Sequence, residues 1–432
     1  LKEKIWEEYA FELLSKVIKG SWLEPILRSS IDRGKIPKEA SGFVAEISYG
    51  VIRYYYLLEW IAKALLGEKK WSKLPDKVRW LILMGLYQLR FHSEEKSPYI
   101  CFRLVELTKR LFHVGLANLV NAVLRAYLRE KVEPPREDLA LIYSYPRWLV
   151  DRLLDRFGNR DFVELLLSKG NERPKLRIKV NLRKIDKGSF SSLLSLKGID
   201  FKEQQEIEDY FLIKTPIFPR DIPGWEEGFF WLESLSAAVA VKALDISEGD
   251  RVLDLCAGRG VKSADIVQRL RSRGKLISID LYPWKLKVLR NFLKNLGYEV
   301  DGLIALDLRV FNPKLQGWAS KAILDVPCSN IGDLGGKPEI KLRISPEEID
   351  SLTYLQKMLL ENASRYIARG GYLVYSTCTL LPDENEEVVR EFLEKHPEYD
   401  LVSLSWVSPL TIMVTSHGYY LEDGFFSLLR RR

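Results

Sequence analysis

Four cysteines, four histidines and three methionines are spread through a chain of 432 residues. Cys101, Cys256, Cys328 and Cys378 lie far apart, so neither a disulfide framework nor the paired spacing of a structural zinc site emerges. Long apolar runs are missing too: the longest, "WLILMGLY" (80–87), is far too short to cross a bilayer. The N-terminal stretch "LKEKIWEEYAFELLSKVIKG" is charged and amphipathic and shows no cleavable signal pattern. These absences exclude a disulfide-stapled secreted scaffold and a zinc module, and the expectation is a cytosolic, monomeric protein with no metal and no membrane partner. What is present is ample core material, 47% apolar residues beside 29% charged, in a chain long enough for two or three domains.

Charge is placed unevenly. Residues 1–140 carry 24 Lys and Arg against 18 Asp and Glu, residues 147–187 carry 12 against 6, and residues 246–432 balance at 25 against 25. Two basic segments ahead of a neutral C-terminal part are a mild footprint of a polyanionic partner, with a solvated helical face as the competing explanation.

Organisation changes along the chain. "AEISYGVIRYYYLLEWIAKALLG" (45–67), "DKVRWLILMGLYQLRF" (76–91) and "VGLANLVNAVLRAYLRE" (114–130) repeat apolar residues at three- and four-residue spacing, which predicts helices. Pro98 is expected to start another helix through "YICFRLVELTKRLF". "KVEPPRED" (131–138) reads as a linker, followed by a helical "YPRWLVDRLLDRFG". "PKLRIKVNLRKI" (174–185) alternates as a half-buried strand, and 188–218 reads as a helix with one or two strands. From about 230, "RVLDLC", "KLISID", "GLIALD", "KAILDVPC" and "GYLVYSTC" alternate with helical stretches, the pattern of a parallel, doubly wound sheet. The expected fold class is therefore α/β: an all-α domain (1–135), a linker helix with a small α+β module (140–228) and a Rossmann-like domain (229–432).

"GDRVLDLCAGRGVKSADIVQRL" (249–270) reads as strand, glycine loop and helix, with Gly258 and Gly260 letting backbone approach a ligand at the helix N-terminus. Asp280 would end the second strand, placed for ribose hydroxyls, and Asp307 the third. A dinucleotide-dependent oxidoreductase would show much of this. S-adenosyl-L-methionine is favoured because Cys256 stands where the first dinucleotide glycine belongs and no third glycine follows. Each acid, taken alone, could equally be a strand-end or capping residue.

Asp325, Pro327 and Cys328 follow the fourth strand candidate and Cys378 the fifth. If those strands are neighbours, both thiols face one pocket at the carboxyl edge, where such sheets place their active groups. Methyl transfer to carbon 5 of a pyrimidine needs that carbon activated, and a thiolate adding to carbon 6 does so. Cysteine suits the task because its thiolate is accessible near neutral pH. Asp325 is placed to hydrogen-bond the base, and a second thiol could assist the loss of the carbon 5 proton. A disulfide between the two is the competing arrangement. Cys101, inside an apolar helix, reads as a small buried hydrophobe, and Cys256 as pocket lining.

At these residues the sequence resembles the RNA cytosine-5 methyltransferases. "DVPCSNIG" is similar to the family's Asp-Ala-Pro-Cys-Ser-Gly motif, "STCTLLPDENEEVV" to its Thr-Cys-Ser/Thr motif with trailing Glu-Asn-Glu, and "DGFFSLLRRR" to its closing strand. The helical part resembles the NusB-like RNA-binding domain of the RsmB (Sun/Fmu) subgroup, and the middle module is RRM-like. The resemblance implies a class I methyltransferase fold and S-adenosyl-L-methionine as cofactor. It implies Cys378 as the attacking thiol, Cys328 as the helper in release and Asp325 as the base-binding carboxylate. Cys256, Ala257, Gly258, Arg259, Gly260, Val261, Lys262, Asp280, Asp307 and Asp325 would line the cofactor site. The implied reaction is methylation of a cytosine in small-subunit (16S) ribosomal RNA, with transfer RNA as an alternative substrate and a non-catalytic NusB-like RNA-binding factor as an alternative function. Arg259 and Val261 depart from the family's cofactor loop, "LESLSA" (232–237) from its Gln-Asp-x-Ser-Ser segment, and Asn330 stands where glycine is common.

Overall fold

The computed structural model describes residues 4–92, 94–270 and 273–432. Contacts divide it into two compact units, Leu1–Glu172 with Leu334–Arg343, and Arg173–Asp333 with Ile344–Arg432. This division groups 140–172 with the helices and removes 334–343 from the C-terminal part.

The first unit is helical. Asp76–Phe91 and Val114–Glu130 keep the bounds their periodicity suggests, and Ser97–Leu111 carries Pro98 in its first turn. Asp76–Phe91 is apolar nearly all round, from Trp80 to Leu89, so it is the element the others pack around. The single helix expected over 45–67 is instead two, Lys38–Arg53 and Tyr55–Leu66. Tyr54 breaks it at φ −105° and ψ 20°, turning its ring onto Phe91 at 4.3 Å between centroids.

Leu334–Arg343 is held into this unit by buried polar contacts. The Lys341 ammonium reaches the carbonyls of Arg53 and Ser144 at 3.2 and 3.0 Å and the Asn171 amide oxygen at 2.6 Å. It also sits 3.6 Å from the centre of the Tyr145 ring, and burial pushes its pKa well down. Glu339 accepts from the Leu23 amide at 2.8 Å, and Arg343 lies over Trp22.

The second unit holds two sheets. In the smaller, β1 (Leu176–Val180), β2 (Phe201–Glu203), β3 (Tyr210–Ile213) and β4 (Phe230–Leu232) run in the order β2-β3-β1-β4. β1 is shorter than the 174–185 stretch suggests, because Asn181 turns its amide to the Gly228 and Leu296 carbonyls and ends the ladder. The larger sheet contains β5 (Arg251–Leu255), β6 (Lys275–Asp280), β7 (Gly302–Ala305), β8 (Ala319–Asp325) and β9 (Ile367–Thr377) in parallel, ordered β9-β8-β5-β6-β7. β10 (Tyr399–Leu401), β11 (Met413–Thr415), β12 (Gly418–Leu421) and β13 (Gly424–Arg431) complete it, β13 antiparallel to β9. β7 stops at Ala305, so Asp307 lies two residues beyond its strand rather than at its end. The order reverses between β5 and β8, and ligands bind at the carboxyl edge of such a reversal.

Candidate active site

Parallel pairing of β8 with β9 sets Leu324 opposite Tyr375 and Asp325 opposite Ser376. The chains leaving those positions therefore emerge side by side. Cys328 and Cys378, both free thiols, bring their sulfurs to 2.9 Å, and the Cys378 amide donates to the Cys328 sulfur at 3.2 Å. Asn330, at φ +59°, donates its amide to the Cys328 carbonyl at 2.7 Å and accepts from the Cys378 thiol at 3.0 Å. The residue that replaces the usual glycine thus keeps the left-handed turn and adds a contact to one sulfur. The Cys328 thiol is pushed well up, first by its hydrogen bond to Cys378 and then by burial, so it keeps its proton.

A buried polar layer under both loops fixes them. Glu384 accepts from the Ser329 amide and from Gln356, each at 2.9 Å, and from the Ser329 hydroxyl. Asn385 accepts from the Thr377 hydroxyl at 2.6 Å and donates to the Thr379 carbonyl at 3.0 Å. Glu384 is raised by burial, which these donors partly offset. Glu384 and Asn385 belong to the "DENEE" run, so a signal for them existed in the sequence. Gln356 and Ser376 had none.

The cofactor loop follows β5. Cys256, Gly258 and Gly260 all have positive φ, at +62°, +58° and +93°. A Cβ on Gly260 would come within 2.5 Å of Leu289, whereas one on Gly258 would meet nothing nearer than 3.9 Å. Gly260 is thus required by packing, and Gly258 leaves open room beside backbone N–H groups, the cradle a nucleoside-bearing ligand needs. Asp280 ties the loop to β6, accepting from the Gly258 amide at 3.0 Å and from Tyr282 at 2.9 Å. Lys262 donates to Asp325 at 2.6 Å, and Ser376 donates to the other Asp325 oxygen at 2.9 Å. Burial disfavours the Lys262 charge, but Asp325 outweighs it and the pKa rises. Burial also raises the Cys256 thiol, which disfavours its ionised form. Arg259 is exposed, and Ala257 and Val261 are half-buried. Both Asp307 oxygens are taken by Arg309, which lowers its pKa.

"LESLSA" proves structural in its contacts. Ser234 caps the helix Leu235–Ala243, and Asp423 of the closing "DGFF" accepts from the Leu235 and Ser236 amides at 2.8 and 3.0 Å. Asp254, in the middle of β5, is a group the sequence did not single out. It is fully buried, accepts from Ser263, has one oxygen without a protein partner, and is pushed up by burial to about 7. In the fold it keeps a proton that an unfolded aspartate loses near pH 4, so its stabilisation is complete below that pH and is lost as pH rises through about 7. Urea midpoints at pH 5 and 8 are expected to show roughly 2–3 kcal/mol less stability at pH 8 from this group, a difference that Asp254→Asn removes.

Comparison with known proteins places this geometry. A family model described as 16S rRNA methyltransferase RsmB/F matches residues 241–427, the NusB family matches 7–129, and an RsmF/B-like ferredoxin-like domain matches 145–218. The ribosomal RNA small subunit methyltransferase B of Vibrio vulnificus is 31% identical over 388 residues, covering 88% of each chain. The chain belongs to the RsmB family. The Bacillus subtilis protein named as a probable member is 28% identical over the whole of both chains. Among solved structures, PH0851 superposes with a TM-score of 0.80 at 24% identity, covering 98% of this chain and 97% of that one. NSun6 from Pyrococcus horikoshii gives 0.57 at 20% identity, over 67% of this chain and 99% of its own. These two show the shared fold. As an RsmB-family RNA methyltransferase, the chain uses S-adenosyl-L-methionine, and the open glycine loop beside Asp280 fits it. Among the described residues no helix is long and apolar enough to cross a membrane, and no group of three or more His, Cys, Asp or Glu could hold a metal.

Proposed function

We propose that this RsmB-family enzyme methylates carbon 5 of a cytosine in small-subunit ribosomal RNA through a covalent bond from Cys378 to carbon 6. The observation that carries the reading is two free thiols 2.9 Å apart at the ends of neighbouring parallel strands, with Asp325 at the same edge. Loop 256–262, Asp280 and Asp325 are assigned to the cofactor, with Asp325 also reaching the base. Asp307 joins them only if its pair with Arg309 opens.

Bound S-adenosyl-L-methionine supplies a sulfonium methyl group to the activated carbon 5. The chain's own residues do the rest. The Cys378 thiolate adds to carbon 6, the electron pair of the 5,6 double bond moves onto carbon 5, which takes the methyl group, and Asp325 holds the base by accepting from its amino group. The hydrogen bond to Cys378 and burial together keep the proton on Cys328 while the Cys378 sulfur is free. Once the Cys378 sulfur is bonded to carbon, that hydrogen bond no longer holds the Cys328 proton. Cys328 can then lose its proton to water and take the proton of carbon 5. The electron pair released from carbon 5 re-forms the 5,6 double bond and expels Cys378 as thiolate. The target base must be unpaired or flipped to enter.

Bisulfite sequencing of ribosomal RNA incubated with enzyme and cofactor is expected to show one newly protected cytosine. Methyl incorporation without any protected cytosine would sink this reading.

A further inference from the structure

Much of the positive charge of residues 147–187 is consumed inside the protein. In the helical unit Arg147 pairs with Asp138, and in the other unit Lys175 and Arg177 both hold Glu422. Lys179 is buried against Asp265, and Lys184 donates to the Glu227 and Asn295 carbonyls. The C-terminal part, neutral as a whole, does something different at one place. The helix Pro283–Leu296, which follows β6, carries Lys285, Lys287, Arg290 and Lys294 and no acidic residue. Its Leu286, Leu289, Leu293 and Leu296 face the core. Lys287, Arg290 and Lys294 are exposed and, among the described residues, have neither an ion pair nor a side-chain hydrogen bond. Some other surface helices pair their own charges, as in Arg390 with Glu394 or Lys109 with Glu106. A face of one sign with nothing to balance it is built for an anion outside the chain.

Two aromatic rings stand at the start of this face. Tyr282 and Trp284 are 48% and 55% exposed, their centroids are 6.4 Å apart, and the Lys285 ammonium lies over both. Tyr282 is tied by its amide to Asp280, the acid that holds the glycine loop, so the rings sit at the cofactor edge of the sheet. At the other end Arg183 lies 5.7 Å from the Tyr298 ring, extending the cations beyond the helix.

We propose that this face is a track for single-stranded RNA, leading the strand toward the cofactor edge: Lys287, Arg290, Lys294 and Arg183 take phosphates, and Tyr282 with Trp284 stacks a base. The seven residue steps from Lys287 to Lys294 span about 10 Å of helix, roughly three nucleotides of a stacked strand. Exposed rings beside unpaired cations are the means by which proteins hold single strands without reading sequence. An acidic protein surface or an anionic membrane would use the cations and leave the rings without a partner. The proposal rests on the RNA-methyltransferase assignment and adds the path of the substrate.

The test is binding of the full-length protein to a small-subunit ribosomal RNA transcript between 50 and 200 mM salt. The triple variant Lys287→Gln, Arg290→Gln, Lys294→Gln should lower the slope of log affinity against log salt by about 2, which makes the loss of affinity over that range roughly twentyfold smaller than in the wild type. Trp284→Ala should weaken binding roughly tenfold and Trp284→Phe far less. Unchanged titration of S-adenosyl-L-methionine shows that the variants are folded. If the triple variant fails it, each single replacement should still lower the slope by about 0.7. An unchanged slope overturns the track, as does equal binding to phosphatidylglycerol vesicles that the same replacements abolish. Should the wild type bind RNA with the expected slope change yet protect no cytosine, the reaction assignment falls and the track stands. Methylation with an unaltered slope gives the reverse.

Discussion

Cys378→Ala is expected to abolish RNA methylation, by roughly four orders of magnitude or more, while S-adenosyl-L-methionine binds as before. The first half follows from the chemistry: without a sulfur to add at carbon 6, carbon 5 has no enamine-like electron density to take a methyl group. The second half follows from the structure. The Cys378 carbonyl, which accepts from the Gly332 amide at 3.0 Å, is backbone and survives the replacement. The loop is held beneath by Thr379, Glu384 and Asn385, whose hydrogen bonds there run to Ser329 and to backbone rather than to the sulfur. Cofactor titration beside a single-turnover methylation assay separates the two effects. Near-normal turnover would mean that the roles of the two cysteines are wrongly assigned.

Cys328→Ala should fail differently. Addition to carbon 6 needs only Cys378, so the first bond still forms. What is lost is the group that takes the carbon 5 proton, and the enzyme should accumulate as an RNA adduct that survives denaturing electrophoresis. Release of methylated RNA should fall to a small fraction of a turnover per enzyme. The raised pKa of Cys328 makes this asymmetry sharper, because a thiol that keeps its proton is a poor nucleophile. A double replacement of both cysteines should form no adduct, which excludes trapping by any other side chain.

The sequence made the sheet and its edge readable because a parallel strand is a short β-branched run ending at a chemistry-bearing residue. β5, β6, β8 and β9 each announce themselves this way, with Asp280, Asp325 and Cys378 at or just past their ends. The neighbouring of Cys328 and Cys378 followed once β8 and β9 were adjacent, and their register sets the rest. Other features depend on contacts between distant residues, to which periodicity is blind. Tyr54 breaks a helix because Phe91 offers it a ring to pack on. Lys341 looks like one more surface lysine until Ser144, Tyr145 and Asn171 close around it. Asp254 reads as a strand residue, and only its full burial beside Ser263 makes it a titrating group near neutrality. Charge misleads most of all in one dimension. The 147–187 stretch is rich in cations that Glu422, Asp138 and Asp265 absorb, while the neutral C-terminal part holds a helix whose Lys287, Arg290 and Lys294 have no ion-pair partner among the described residues.

A sulfur bonded to a pyrimidine carbon is what the account stands on, and peptide mass spectrometry of the Cys328→Ala adduct looks for that bond directly. After nuclease and protease digestion, the account predicts a cytosine-derived nucleotide, heavier by one methyl group, on the peptide containing Cys378. The same nucleotide on any other peptide, or none at all under conditions in which the wild type methylates RNA, would contradict it.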